Sequence, residues 1–169
     1  MKIILLLSLI VLTTCSYENS RERLEFIESS HPTMEDVEFL LNDPSMDIEQ
    51  YGHQIVKEII ETKDDSSCRV VAKMLKSERI KVEKLDTSAL INYAAQNHKP
   101  RLLLVLLNDK RFHFDVPSLK AQLVDPDHAT LTVLAIDGRF KPSATMMKNA
   151  PRDEAILERV LHYWQDLQN

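Results

Sequence analysis

The stretch Leu106–Phe114 reads LLNDKRFHF, and similar stretches occur at three other places in the chain. They are Leu40–Ile48 (LLNDPSMDI), Met74–Val82 (MLKSERIKV) and the less similar Leu134–Pro142 (LAIDGRFKP). The four copies begin 34, 32 and 28 residues apart. A regular period of this length is typical of stacked helical repeats, in which each unit buries its apolar face against the next. The pattern predicts an all-α scaffold for binding, and it does not identify what is bound.

Between these stretches, apolar residues recur at helical spacing and capping residues precede several of the helical segments. The spacing and the caps together predict a short stack of helix pairs. The predicted helices are Met34–Leu41, Gly52–Thr62, Ser67–Lys76, a helix that follows the cap cluster Asp86-Thr87-Ser88 and contains Ala94 and Ala95, Arg101–Leu107, Pro117–Val124 and His128–Ile136. Residues 43–51 are predicted as a loop, because Pro44 cannot continue a helix.

Four segments are predicted along the chain. Residues 1–16 form a signal peptide, 17–33 a polar lead-in, and 34–142 a set of degenerate repeats. Residues 143–169 are predicted to supply a C-terminal capping helix, since Asp153–Leu167 carries an apolar stripe at three- and four-residue spacing. Such a helix would cover the last unit, which has no neighbour on one side.

The first residues predict secretion. Lys2 precedes an apolar run from Ile3 to Leu12 that only Ser8 interrupts, and small polar residues follow it. As a helix this run reaches about 15 Å, roughly half the hydrocarbon thickness of a bilayer. Cleavage after Cys15 or after Ser16 both fit, and no transmembrane segment is expected in the mature chain.

A second interpretation of the same region is a bacterial lipoprotein signal. Leu12-Thr13-Thr14-Cys15 resembles that signal, in which the cysteine becomes the lipidated first residue. Thr14 stands where such signals have Gly, Ala or Ser, so the free secreted form is favoured. If Cys15 were retained, the protein would be a lipid-tethered adaptor.

Cys68 is the one cysteine that remains in the mature chain. It has no second cysteine for an internal disulfide, so apolar packing must supply the stability of the domain. A lone thiol on an apolar helix is most often a small core residue, and Cys68 is predicted to be one.

The charge of the chain argues against nucleic acid as a partner. The formal net charge is −5, and the densest basic stretch, Lys73–Lys84, is interrupted by Glu78 and Glu83. A protein that neutralises several phosphates needs a basic face.

Signatures of catalysis and of metal binding are missing from the sequence. No two of the six histidines stand at the i, i+4 spacing that places two metal ligands on one helical face. Two glycines cannot build a nucleophile elbow, a phosphate loop or a dinucleotide fingerprint. The sequence therefore predicts a non-enzymatic protein with no catalytic, cofactor-binding or metal-binding residues.

One unit resembles a divergent ankyrin repeat. Ala94-Ala95, Leu102–Leu107 and Asn108–Phe112 resemble its inner helix, outer helix and exit loop, and the likeness extends over Met34–Pro142. The Thr-Pro-Leu-His tetrapeptide of such repeats is absent, and only Gly52 and Gly138 could form glycine turns. Helix pairs joined by irregular loops are therefore expected in place of β-hairpin fingers, and a plain helical solenoid or bundle remains an alternative.

The resemblance implies a protein-binding surface formed by the loops and by the exposed side of the inner helices. Secretion together with repeats favours a monomeric protein that binds another protein, with an effector acting on a host or neighbouring cell as one form. The alternative is a lumenal or periplasmic protein with a chaperone-like or inhibitory role.

Two positions of the repeated stretch are candidates for different roles. Met46, Ile80, Phe112 and Phe140 occupy one apolar place and are predicted to be core contacts. Ser45, Arg79, Arg111 and Arg139 occupy the preceding place and are the candidate partner-binding residues. The three arginines are expected to pair with acidic residues of neighbouring units or with an acidic partner, and the first is favoured. A solvated loop position predicts a small loss of stability for Arg111→Ala.

Overall fold

A computed structural model describes residues 33–44 and 47–168, and over these residues the chain is all helical, with no strand. The α-helices are α1 (Met34–Asn42), α2 (Ile48–Thr62), α3 (Cys68–Leu75), α4 (Thr87–Gln96), α5 (Pro100–Asn108), α6 (Val116–Gln122), α7 (His128–Asp137), α8 (Ala144–Asn149) and α9 (Glu154–Gln168). Short 3-10 helices occupy Asp65–Ser67 and Val82–Lys84. The all-α prediction is confirmed for this part of the chain. The predicted signal peptide, most of the lead-in, Ser45 and Met46 lie outside the described residues.

Side-chain caps start several helices where the sequence predicts them. Thr33 and Asp36 form a reciprocal capping box at α1, with Thr33 Oγ1 accepting from the Asp36 N–H at 3.2 Å. Asp86 accepts from the Ala89 N–H at 2.9 Å and begins α4. Asp127 accepts from the Thr130 N–H at 2.6 Å and begins α7. Each cap satisfies a backbone donor that has no partner within the helix.

The structure corrects two predictions of local structure. The predicted loop through residue 51 is too long, because Asp47 accepts from the Gln50 N–H at 3.0 Å and begins α2 at Ile48. The helix α8 has six residues and is not among the predicted helices; Ser143 caps it by accepting from the Met146 N–H at 3.1 Å. This helix contains no buried residue, so it lacks the apolar spacing that predicts the longer helices.

The helices contact one another in two rows. In the four-helix row, α1 contacts α3, α3 contacts α5, and α5 contacts α7. In the three-helix row, α2 contacts α4 and α4 contacts α6. Contacts of α2 with α3 and of α4 with α5 join the two rows. The shared core is apolar, and Val37, Ile59, Met74, Ala94, Leu102 and Leu134 are among its fully or almost fully buried side chains.

The C-terminal helix α9 lies along the four-helix row. It contacts α5 and α7, and it buries Val160 and Tyr163. Its neighbour α8 contacts α7. Of the predicted apolar stripe, Val160 is buried and Ile156, Trp164 and Leu167 pack partly against the core, whereas Leu161 is 38% exposed. Within residues 33–44 and 47–168, the structure contains no helix that is both long enough and apolar enough to cross a membrane.

Candidate functional site

The loops after α3, α5 and α7 begin with the same local turn. Ser77, Asp109 and Asp137 each accept a hydrogen bond from the backbone N–H two residues further on, at 3.3, 3.0 and 3.3 Å. Short polar side chains favour such turns because they offer the backbone a local partner. The N–H donors are those of Arg79, Arg111 and Arg139, so the turn fixes the backbone of each of these arginines.

The three loop arginines donate to the end of the preceding helix in the four-helix row. The contacts are Arg79 Nη1 to the Leu41 carbonyl at 2.6 Å, Arg111 Nη2 to the Leu75 carbonyl, and Arg139 Nη2 to the Leu107 carbonyl at 3.2 Å. These carbonyls belong to the last turns of α1, α3 and α5. The last carbonyl oxygens of a helix have no N–H donor within the helix, and they carry partial negative charge. A cation at this end of a helix is therefore favourable. We call this set of three contacts the arginine ladder.

Two of these arginines also pair with an aspartate of their own loop. Arg111 Nη2 lies 2.6 Å from Asp109 Oδ2, and Arg139 Nη2 lies 2.7 Å from Asp137 Oδ2. Burial by itself would raise the pKa of the Asp109 carboxyl, but the hydrogen bonds and the charge of Arg111 outweigh it and hold that pKa below its ordinary value. The favoured expectation of pairing with acidic residues of neighbouring units is therefore wrong for Arg111 and Arg139. The neighbouring unit contributes a backbone carbonyl to each.

The candidate partner-binding residues have different surroundings. Ser45 lies outside the described residues. Arg79 is half-buried, and the side chains of Arg111 and Arg139 are 44% and 39% exposed. The ladder gives all three arginines a role within the fold, and each of the three residues remains partly exposed. Their role in binding a partner stays a prediction.

The apolar place of the repeated stretch is a core position. Ile80, Phe112 and Phe140 are 2%, 0% and 1% exposed, which confirms the prediction for these three residues. Ile80 packs against the backbone of α2 at Gly52, where an added Cβ would collide with Ile80 Cδ1 and would lie 3.0 Å from Ile48 Cγ2. Gly52 thus allows this loop to approach the three-helix row closely.

A second helix end is capped by side chains that the sequence analysis did not single out. Lys99 Nζ donates to the carbonyls of Ile60 and Lys63, both at 2.7 Å, and the Tyr93 hydroxyl donates to the Glu61 carbonyl. The ammonium also lies 4.8 Å from the centre of the Tyr93 ring. Burial lowers the pKa of Lys99 because it disfavours the charged ammonium. These contacts join the end of α2 to α4, and a lysine before a proline gave no sequence signal for them.

Cys68 is a core residue, as predicted. It is 1% exposed, and burial raises the pKa of its thiol. A buried thiol with a raised pKa holds little thiolate at neutral pH and is a poor nucleophile. Among the described residues, no group of three or more His, Cys, Asp or Glu side chains is arranged to hold a metal ion.

The ladder changes the expected effect of Arg111→Ala from a small loss to a measurable one. Removing the guanidinium leaves the Leu75 carbonyl and the Asp109 carboxylate without this donor, so we expect the free energy of unfolding to fall by about 1–2 kcal/mol. Urea unfolding followed by circular dichroism would measure it. Lys110→Ala, at the exposed neighbouring position, should change it by less than about 0.5 kcal/mol. Equal midpoints for the two variants would contradict the ladder.

Acid should weaken the contribution of Asp109. Its folded pKa lies below the ordinary carboxyl value of about 3.9, so its ionised form stabilises the fold above that pH, and this stabilisation is lost as the pH falls through the folded pKa. The difference in unfolding free energy between the wild type and Asp109→Asn should therefore be constant from pH 7 to about pH 5 and shrink below about pH 4. A urea unfolding series across this range measures it, with the exposed Asp125→Asn as control. A difference that does not vary with pH would contradict the expectation.

Comparison of the chain with protein-family models, with curated proteins and with solved structures gave no match.

Proposed function

We propose that this chain is a non-enzymatic binding module for another protein, built from divergent ankyrin-like repeats. The observation that carries the proposal is the arginine ladder, which joins loop to helix end at three successive places with separations of 38, 36 and 32 residues. The same contact made three times in register is what repeated units related by sequence would make. Repeat arrays bury their sides against one another and present their loops and one helical face as an extended binding surface.

The binding surface in this proposal is the loop edge, defined as the loops 76–81, 109–114 and 138–142. Their apolar anchors point into the core, while Arg111 and Arg139 remain partly exposed. The ladder and the local turns hold these loops in a fixed geometry, which lowers the conformational entropy lost when a partner binds. Rigid loops with exposed arginines suit protein recognition, in which arginine is an enriched contact residue.

A crosslinking pull-down tests this proposal. The bait is the chain from Tyr17 onward, the mature form predicted from the sequence, used against lysates of the producing organism and of any host. We expect a partner to be recovered by the wild type and by Lys120→Glu/Lys148→Glu, which changes the charge equally at exposed positions of α6 and α8. We expect the partner to be lost with Arg79→Glu/Arg111→Glu, provided that its circular dichroism spectrum shows a folded protein.

Two results would count against the proposal. Recovery of no specific partner from any lysate would argue against a binding module. Equal recovery by the folded Arg79→Glu/Arg111→Glu variant would retain a binding function and exclude the loop edge as its surface.

The proposed site of action is outside the cell. This part of the proposal rests on the signal-peptide pattern of residues 1–16, and its main case is the free secreted form. Mass spectrometry of the natural protein would show an unmodified N-terminus after Cys15 or Ser16 for this case. A lipid-modified Cys15 at the N-terminus would establish the tethered form.

A further inference from the structure

A groove opens where α3 and α5 end, next to the last turn of α9. Its volume is about 380 Å³. The floor is apolar and consists of Ala72, Leu75, Val105 and Leu167. The rim carries the basic side chains of Lys76, Lys110 and Arg111.

The rim is positively charged although the chain is acidic overall. Asp109 is the one acidic residue that lines the groove, and it is paired with Arg111 at 2.6 Å. Lys76 and Lys110 are exposed, and neither forms an ion pair with another described residue. A net charge of −5 on the whole chain makes this local excess of cations a distinct feature of the surface.

The groove continues the strip of surface on which α9 packs. That helix lies on α5 and α7, and Leu167 in its last turn forms one end of the groove. From there the apolar floor runs on to Ala72 and Leu75 of α3. The apolar lining therefore extends from α9 across α5 to α3.

We propose that this groove binds an acidic peptide segment of the partner protein, with an aliphatic side chain on the apolar floor and carboxylates at Lys76 and Lys110. This inference rests on the proposed binding function and names the chemistry of the partner. The apolar floor supplies a pocket for an anchoring side chain, and the basic rim favours a peptide that carries negative charge. Three basic residues with one paired aspartate are too few for nucleic acid, which needs several phosphate contacts.

The test is selection from a phage-displayed library of random 12-residue peptides on the chain from Tyr17 onward. We expect the enriched peptides to combine Asp or Glu with Leu, Ile, Val or Met. Labelled synthetic peptides are then titrated by fluorescence anisotropy. Lys76→Glu/Lys110→Glu should raise Kd by about tenfold or more, because attraction becomes repulsion at the rim. The charge-matched Lys120→Glu/Lys148→Glu should leave Kd unchanged. Neither double variant should alter the circular dichroism spectrum.

Changes in the peptide test the two parts of the groove separately. Replacing the carboxylates by Lys should abolish binding to the wild type, and replacing the aliphatic residues by Ser should weaken it by about tenfold. Enriched peptides without acidic residues, or with the same Kd for the wild type and Lys76→Glu/Lys110→Glu, would overturn the groove assignment.

Two further outcomes separate this inference from the proposed function. If no peptide is enriched while the pull-down still recovers a specific partner, the binding function stands and the groove assignment is wrong. If sedimentation shows a wild-type dimer that Lys76→Glu/Lys110→Glu dissociates, the groove belongs to a contact with a second copy of this chain and the peptide proposal is overturned.

Discussion

Ala94→Glu is expected to remove most of the stability of the protein. Ala94 is 0% exposed on α4, which contacts both α2 and α5, so a glutamate there would bring a carboxylate into the apolar core without a partner. An uncompensated buried charge costs about 3–5 kcal/mol. A domain of this size has a total stability of about 5–15 kcal/mol, so the loss should shift the urea midpoint strongly or unfold the chain.

Ala89→Glu is the matched control, because it makes the same change on the exposed side of the same helix. Position 89 is the third residue of α4, where a carboxylate interacts favourably with the helix N-terminus. We expect its unfolding free energy to equal or slightly exceed that of the wild type. Urea unfolding followed by far-ultraviolet circular dichroism measures both variants. Similar midpoints for Ala94→Glu and Ala89→Glu would show that α4 is not enclosed between its neighbours.

Phe112→Ala is expected to have the second large effect, a loss of about 3–5 kcal/mol in the free energy of unfolding. Phe112 is 0% exposed and occupies the repeated apolar place that fixes its loop to the core. Its carbonyl also accepts from Arg139 Nη1 at 3.2 Å, so a displaced loop would weaken the next contact of the arginine ladder. The substitution leaves a cavity that the surrounding helices can close only in part.

Two further variants serve as comparisons for the loss of unfolding free energy in Phe112→Ala. Phe112→Leu keeps most of the volume and should cost less than about 1.5 kcal/mol. Phe114→Ala removes the same atoms at a half-buried position, where the ring lies 4.8 Å from the Arg139 guanidinium, and should cost clearly less than Phe112→Ala. Urea unfolding of the three variants ranks them. A loss for Phe114→Ala equal to that for Phe112→Ala would contradict a special role for the repeated apolar place.

The expected effect of Arg111→Ala shows what a sequence pattern conveys about a loop. The register of Arg79, Arg111 and Arg139 was visible in the sequence, and it indicated a shared role. Their favoured partners in that interpretation were acidic side chains of neighbouring units, because charge is what a sequence displays. The carbonyl that each arginine contacts belongs to the backbone, which is the same for every residue type and leaves no mark in the sequence.

The sequence by itself determined the local structure. Caps such as Thr33, Asp86 and Asp127, followed by apolar residues at helical spacing, placed α1, α4 and α7 correctly because these interactions span only three or four residues. The repeated apolar place predicted the burial of Ile80, Phe112 and Phe140 for a related reason, since a large apolar side chain in each copy is favourable only inside a core.

The tertiary structure alone decided the order of contacts between the helices, that α9 lies against α5 as well as α7, and which groups meet at the loops. Arg111 and the Leu75 carbonyl are 36 residues apart, and the groove joins side chains from α3, α5 and α9. These contacts depend on the packing of whole helices, to which many weak apolar contacts contribute at once, so no short stretch of sequence contains them. The stretch that repeats in the sequence determined the individual helices and loops of this protein. Packing between helices that are distant in the sequence determined its loop edge and its groove.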